Sequence, residues 1–286
     1  LPIEHVSDTA RWVAVHRAME SERPDALFRD PFARRLAGER GEVIHRQMGS
    51  RDYVSWSTIT RTVLFDATVL DLVNRGEVEV VVNLAAGLDT RPWRLPLPAS
   101  LRWVDVDYPD VLEYKAGALA GERPACRYEP APADLASAAE RGALLDRLQI
   151  KTGKALIITE GLLIYLDAEQ VGALAGDIHA RTAARHWLTD LASPGLLKIM
   201  VRTWGRRAKA GVAPFQFAPA EGPAFFQPFG WREASIRSFL EEARRIHREM
   251  PMAWLWRLLG TFRSAVKKEE FRRYSVALLL ERQPRP

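Results

Sequence analysis

The sequence has one cysteine, Cys126, only seven lysines, and no apolar run near the roughly 20 residues that span a bilayer. A single thiol excludes an internal disulfide and any zinc site built on paired cysteines. Glycine and proline, 18 of each, fall far below collagen-like or low-complexity levels, and nine Trp with eleven Phe argue against disorder. The first residues, Leu1 to His5, carry no basic flank leading into an apolar stretch, so the pattern gives no sign of a secretory signal. The expected setting is cytoplasmic, without a membrane partner. At 286 residues the chain suits one large domain or two ordinary ones.

The scarcity of lysine also bears on the charge. Forty-one basic against 36 acidic residues give +5, a balance that invites a nucleic-acid reading. Yet 34 of the 41 are Arg, a bias that accompanies abundant Ala and looks compositional. The basic residues alternate with acids, as in Glu241 to Arg245 and Lys267 to Arg273, the pattern of solvated helix faces. Only Arg202, Arg206, Arg207 and Lys209 cluster without acids. No nucleic-acid partner is expected.

Along the chain, the first fifty residues read as amphipathic helices, followed by a longer helix from Tyr53 to Arg75. An alternation then begins. Strands are predicted at Val78–Leu84, Leu101–Val106, Ala125–Tyr128, Ala155–Thr159 and His186–Leu191. Helices at Pro109–Ala120, Ala138–Leu148 and Ala168–Ala180 separate the later strands. This rhythm predicts an α/β fold with a doubly wound, Rossmann-like, mostly parallel sheet. One domain is expected: a helical cap (1–75), a cofactor-binding core (76–192), a lid insertion (193–230), and a C-terminal helix and strand (231–286). The helix is placed at Trp231–Glu249, and the strand, Tyr274–Leu280, forms an antiparallel edge.

In such sheets ligands bind beyond the carboxyl ends of the strands, where the strand order reverses. The first strand ends in Ala85-Ala86-Gly87-Leu88-Asp89, small enough for a ligand to approach the backbone. The second ends at Asp107, 20 residues after Gly87, the spacing for a carboxylate that accepts from a ribose. Asp89 stands at the third glycine position of a dinucleotide turn, where its charge would repel a pyrophosphate. A nucleoside cofactor with a sulfonium and an amino-acid tail, S-adenosylmethionine, fits better. The fourth strand ends at Glu160, placed to hold an ammonium group or to complement a helix N-terminus.

The strings NLAAGLDTRPWRL, WVDVDYPDVLEYK and ITEGLLIYL resemble the leucine carboxyl methyltransferase family of class I S-adenosylmethionine-dependent methyltransferases. The opening SDTARWVAVHRAMESERPDALFRDPFARRLAG resembles its bacterial branch, which includes polyketide O-methyltransferases. The resemblance covers most of residues 7 to 192. It implies that Arg61 pairs with the cofactor's carboxylate, that Gly87 lies beside its methionine moiety, and that Asp107 holds the ribose. It also implies that Asp134 and Leu135 meet the adenine and that Glu160 lies near the amino group. By themselves, Arg61 and Asp134 read as a solvated helix residue and a helix cap. One departure stands out, because the family's usual Gly is Ala85 here; a positive φ there would cost roughly 1 kcal/mol or more.

The resemblance thus implies methyl transfer to a carboxyl or hydroxyl, with a small polyketide-like acceptor favoured over a protein C-terminus. A nicotinamide oxidoreductase and a nucleic-acid binder on the same scaffold are the other classes considered. A hydroxyl acceptor benefits from a general base. His16, Arg17, Tyr165 and His186 are the candidates, and sequence alone assigns none of them. Trp204, Phe215, Phe217, Phe225, Phe226, Phe229 and Trp231 either line an acceptor pocket or pack the lid onto the sheet.

Overall fold

The computed structural model describes residues 6–48, 55–204, 214–253 and 272–284. Among these residues seven strands form one sheet in the order β3-β2-β1-β4-β5-β7-β6. The five parallel strands are β1 (Val80–Leu84), β2 (Arg102–Asp107), β3 (Arg127–Pro132), β4 (Ala155–Thr159) and β5 (His186–Ala192). β7 (Ser275–Arg282) and β6 (Trp231–Ser238) complete it antiparallel. Apolar β-branched runs in β1 and β4 are covered on both faces, as parallel strands require. Val82, Ile157 and Trp187 build the core on one face, and Val81, Leu156 and Trp103 on the other.

Helices α1 (Val6–Ser21), α2 (Ala33–Met48) and α3 (Ser55–Asn74) precede the sheet. α1 and α2 pack through Ala14, Val15, Leu36 and Ala37 onto Leu88, at the end of the first strand. α4 (Arg91–Arg94), α5 (Pro109–Ala118), α6 (Ala138–Leu148) and α7 (Ala168–Arg181) follow successive strands. Ser137 caps α6, and Asp167 with Gln170 forms a capping box on α7, which explains why both helices were legible. α8 (Pro194–Trp204) and α9 (Phe239–Arg245) complete the helices among the described residues.

Three expectations need correction. The third strand runs over Arg127–Pro132, later than Ala125–Tyr128, because two prolines hide an edge strand. The C-terminal strand is antiparallel, as expected, but lies one place inside the edge, which β6 occupies. Residues 231–238 are that strand rather than the start of a helix to Glu249. They pair with the outer edge of β7 through a bulge between Glu233 and Ser235, and their exposed charges suit an edge. Trp231 anchors the strand, fully buried, with its indole donating to the Ala175 carbonyl. The helical spacing is used only from Phe239, where the Ser238 hydroxyl accepts from the Glu241 N–H and starts α9.

The 193–230 segment also has more regular structure than a bare lid. α8 opens it, and a 3-10 stretch, Gly222–Phe229, closes it.

Candidate functional site

The strand order reverses between β1 and β4, and a cavity of about 1320 Å³ lies beyond their carboxyl ends. Its walls come from the β1, β2, β4 and β5 termini, from α3, and from one face each of α1 and α8. Ala85 has φ 55° and Gly87 φ 52°, so the turn after β1 passes twice through the left-handed region. Gly87 is required there, since a Cβ would also approach the Ala10 Cβ of α1 to 3.3 Å. Ala85 does adopt the positive φ that makes it costly. Ala85→Gly is therefore expected to stabilise the fold by about 0.5–1 kcal/mol, net of the extra freedom of Gly when unfolded. A urea midpoint measures this, and an unchanged or lower midpoint would contradict it.

Asp107 ends β2 with its two oxygens accepting from Gly87 N–H (2.7 Å) and Tyr108 N–H (2.8 Å). It is 9% exposed at the cavity, and burial raises its pKa against those two bonds. Of the pair after β3, Leu135 faces the cavity, whereas the Asp134 carboxylate accepts from Ala136 N–H and the Tyr108 hydroxyl. Tyr108, which the sequence did not single out, also lines the cavity and links these two ends.

Arg61 and Glu160 are neighbours, with Arg61 Nε 2.9 Å from Glu160 Oε1. Each has further partners. Arg61 Nη1 lies 3.5 Å from Asp190 on β5, and Arg91 Nη1 lies 2.8 Å from Glu160 Oε2. Arg91 also reaches Asp89 and Asp66, both at 2.7 Å. Arg94 binds Asp66 at 2.6 Å, and Arg17 binds Asp30 at 2.9 Å and the Leu88 carbonyl at 2.6 Å. Thr90 bridges by donating to Asp30. Among the described residues the network joins four guanidiniums, Arg17, Arg61, Arg91 and Arg94, to five carboxylates, Asp30, Asp66, Asp89, Glu160 and Asp190.

Burial works against the Glu160 charge, yet the guanidiniums Arg91 and Arg61 hold it below the usual carboxylate range. Asp89 is lowered as well, because Arg91 and Lys115 outweigh its burial. Asp190 is the exception: burial raises it despite Arg61 and the Gly161 N–H, 2.6 Å away.

Asp89 acts differently from the simple repulsion the sequence suggested. Its Oδ1 accepts the Arg91 N–H at 2.8 Å, a donor at the start of α4 that a pyrophosphate would need. The sequence reading missed Arg91, Asp66 and Asp190. Asp190 was reachable, since it lies near the carboxyl end of the fifth strand. Arg91 and Asp66 were not, because their role rests on contacts across the fold.

Among the candidate bases, His186 lies at the amino end of β5, 3.2 Å from Glu77 and away from the cavity. Arg17 is committed to the network. Tyr165 lines the cavity against Phe215, with ring centroids 5.3 Å apart. His16 lines it too, only 3% exposed, edge-on to Trp12 and His45. Phe217 borders both cavity and core, while Phe225, Phe226, Phe229 and Trp231 pack against the sheet. The Trp204 side chain lies outside the described residues, as do Arg206, Arg207 and Lys209.

Burial, with His45 nearby, lowers the His16 pKa from 6.5 to about 3. The unfolded chain therefore binds a proton below pH 6.5 that the folded chain refuses. The folded state loses about 1.4 kcal/mol per pH unit from this group as pH falls from 6.5 towards 3. Between pH 7.5 and 5 the expected loss is about 2 kcal/mol, and it should be smaller by that amount in His16→Gln. Equal slopes for the two proteins would count against a buried neutral ring.

A doubly wound sheet with an antiparallel end, a glycine turn after β1 and an acid closing β2 define a class I S-adenosylmethionine-dependent methyltransferase fold. A solved DUF574-family protein from Streptomyces avermitilis shares this fold with a TM-score of 0.59 at 13% identity, over 96% of this chain and 97% of that one. Sequence comparison specifies the family. The leucine carboxyl methyltransferase profile matches residues 10–179, and the chain belongs to that family. A Parafrankia protein named "Putative S-adenosyl-L-methionine-dependent methyltransferase" is 35% identical over 87% of this chain and 84% of its own. A Streptomyces coelicolor protein named likewise is 33% identical over 85% and 88%. No helix among the described residues is long and apolar enough to cross a membrane.

Proposed function

We propose that this protein is an O-methyltransferase that uses S-adenosylmethionine to methylate a small, apolar, polyketide-like acceptor. The supporting observation is the shape and cover of the cavity. At about 1320 Å³ it exceeds the roughly 300–1,000 Å³ of an ordinary ligand pocket, leaving room for a cofactor and an acceptor together. Leu196, Ile199, Met200 and Thr203 of α8 line it at helical spacing, as do Trp12 and Val13 of α1. Such walls suit a flat, greasy molecule better than a polar peptide backbone.

The cofactor supplies an electrophilic methyl group on sulfur. The chain's own residues bind and orient. Asp107 has lone pairs left for two ribose hydroxyls, Leu135 offers an apolar face to the adenine, and Arg61 with Glu160 and Asp190 presents both charges to the amino-acid end. The α1 and α8 faces exclude water from the acceptor. Methylation of a protein C-terminal carboxyl is the alternative that the family's name supports.

Methyl-labelled cofactor, offered with aromatic alcohols, aromatic acids and a leucine-terminated peptide, tests the proposal. A base-stable label on a small alcohol is expected. Labelling of the peptide alone would overturn it.

A further inference from the structure

We propose that the acceptor carries an uncharged apolar tail behind the head that receives the methyl group, and that this tail lies in an arm of the cavity running past β5 to the start of β7. This rests on the methyltransferase reading above and specifies the acceptor's shape.

The first argument is position in the sheet. The residues that would hold the cofactor follow β1, β2, β3 and β4 or reach over from α3, so its place is the β3-β2-β1-β4 half. The same cavity continues sideways. Leu191 and Ala192 line it at the carboxyl end of β5, and Tyr274 and Ser275 line it at the amino end of β7. β7 runs antiparallel, and Ser275 pairs with Ala192, which brings the start of β7 level with the carboxyl ends of the parallel strands. From β4 to β7 is two strand spacings, about 10 Å. An extended chain covers about 1.2 Å per bond, so the arm takes a tail of about eight carbons.

The second argument is charge. Among the described residues, every charged side chain that lines the cavity precedes Leu191 in the chain, and the Arg61–Asp190 pair marks the border. Beyond it the lining is neutral, with Leu196 and Met200 of α8, Phe239 of α9 and Met250 supplying apolar surface. The Thr203 hydroxyl is used within α8, on the Ile199 carbonyl. A charged tail would lose its water here without gaining a partner, whereas methylenes gain by leaving water.

The third argument is access. Ala192, Leu196, Met200, Met250, Tyr274 and Ser275 are all partly exposed rather than sealed in the core. Leu196, Met200 and Thr203 recur at helical spacing, so one stripe of α8 borders the cavity. The arm is therefore open to a ligand along its length.

The test uses the whole chain loaded with S-adenosylhomocysteine and a series of 4-alkylphenols with tails of one to ten carbons. The 4-alkylbenzoates run alongside, so that the result does not depend on which head is methylated. Calorimetry is expected to show affinity rising about threefold per added carbon up to about eight carbons and flat beyond. A phenol whose eight-carbon tail ends in a carboxylate should bind at least about 100-fold more weakly than 4-octylphenol. Ser275→Phe fills the β7 end and should shorten the plateau by one strand spacing, to about four carbons, with S-adenosylhomocysteine affinity unchanged. A residue with a merely structural role would not move that plateau. Should the variant lose S-adenosylhomocysteine, the two tail comparisons in the unsubstituted protein still decide. Affinity flat with tail length in both series, or a carboxylate tail bound as tightly as the alkyl one, would overturn the proposal. So would an unmoved plateau in a Ser275→Phe protein that binds S-adenosylhomocysteine normally. Failure of the unsubstituted chain to bind S-adenosylhomocysteine at all would instead overturn the methyltransferase reading.

Discussion

Arg91→Met is expected to cost about 3–5 kcal/mol and to lower the melting temperature by about 10 °C. Arg91 is 3% exposed and holds Asp66, Asp89 and Glu160 with one guanidinium. Its removal leaves those carboxylates buried with less compensation. Asp66 keeps Arg94 and Glu160 keeps Arg61, but Asp89 keeps as hydrogen-bond partners among the described residues only the Asn83 amide and a backbone N–H, with Lys115 acting on it from farther away. The penalty for a stranded buried charge exceeds what the pair contributed, because the charge can no longer be solvated by water. Adding Asp89→Asn should recover much of the loss, since it removes the most isolated charge. Circular dichroism melts of the single and double variants measure both effects. A drop below about 2 °C in the single variant would mean that the network is hydrated rather than dry.

The second large effect is on the ligand. Asp107→Ala should weaken S-adenosylhomocysteine binding by at least about 100-fold while the chain remains folded. Two hydrogen bonds to a charged carboxylate contribute about 1.5–3 kcal/mol each, enough for that loss. The Gly87 and Tyr108 N–H groups that Asp107 now receives lie at the cavity, where water can replace it. Asp107→Asn keeps one acceptor oxygen and should lose less, about tenfold. Calorimetry alongside a melting curve separates binding from folding, and undiminished affinity in the Ala variant would refute the ribose assignment.

Several residues that line the cavity could be placed there from the sequence. Gly87 and Asp107 could be placed at the cavity because parallel strands set their carboxyl ends at one edge of the sheet, and a 20-residue spacing spans one crossover. Ala85 was flagged as a strained position, and its φ of 55° bears that out. Residues 231–238 were misread because an edge strand with one buried anchor carries no alternation to distinguish it from a helix. The partners of Arg61 and Glu160 were also hidden. Each looked like a ligand group in its own right, and the fold ties both into one ionic network.

The sequence by itself determined the class. Buried strands, small turn residues and a spaced acid are local patterns, and local patterns survive without the rest of the chain. The tertiary structure alone decided which charges meet, that five carboxylates and four guanidiniums of the described residues join in one network, and that His16 borders the cavity. Those outcomes depend on residues such as Arg61 and Asp190, 129 positions apart, brought together by the packing of α3 across the strand ends. No pattern within a window of sequence encodes that distance.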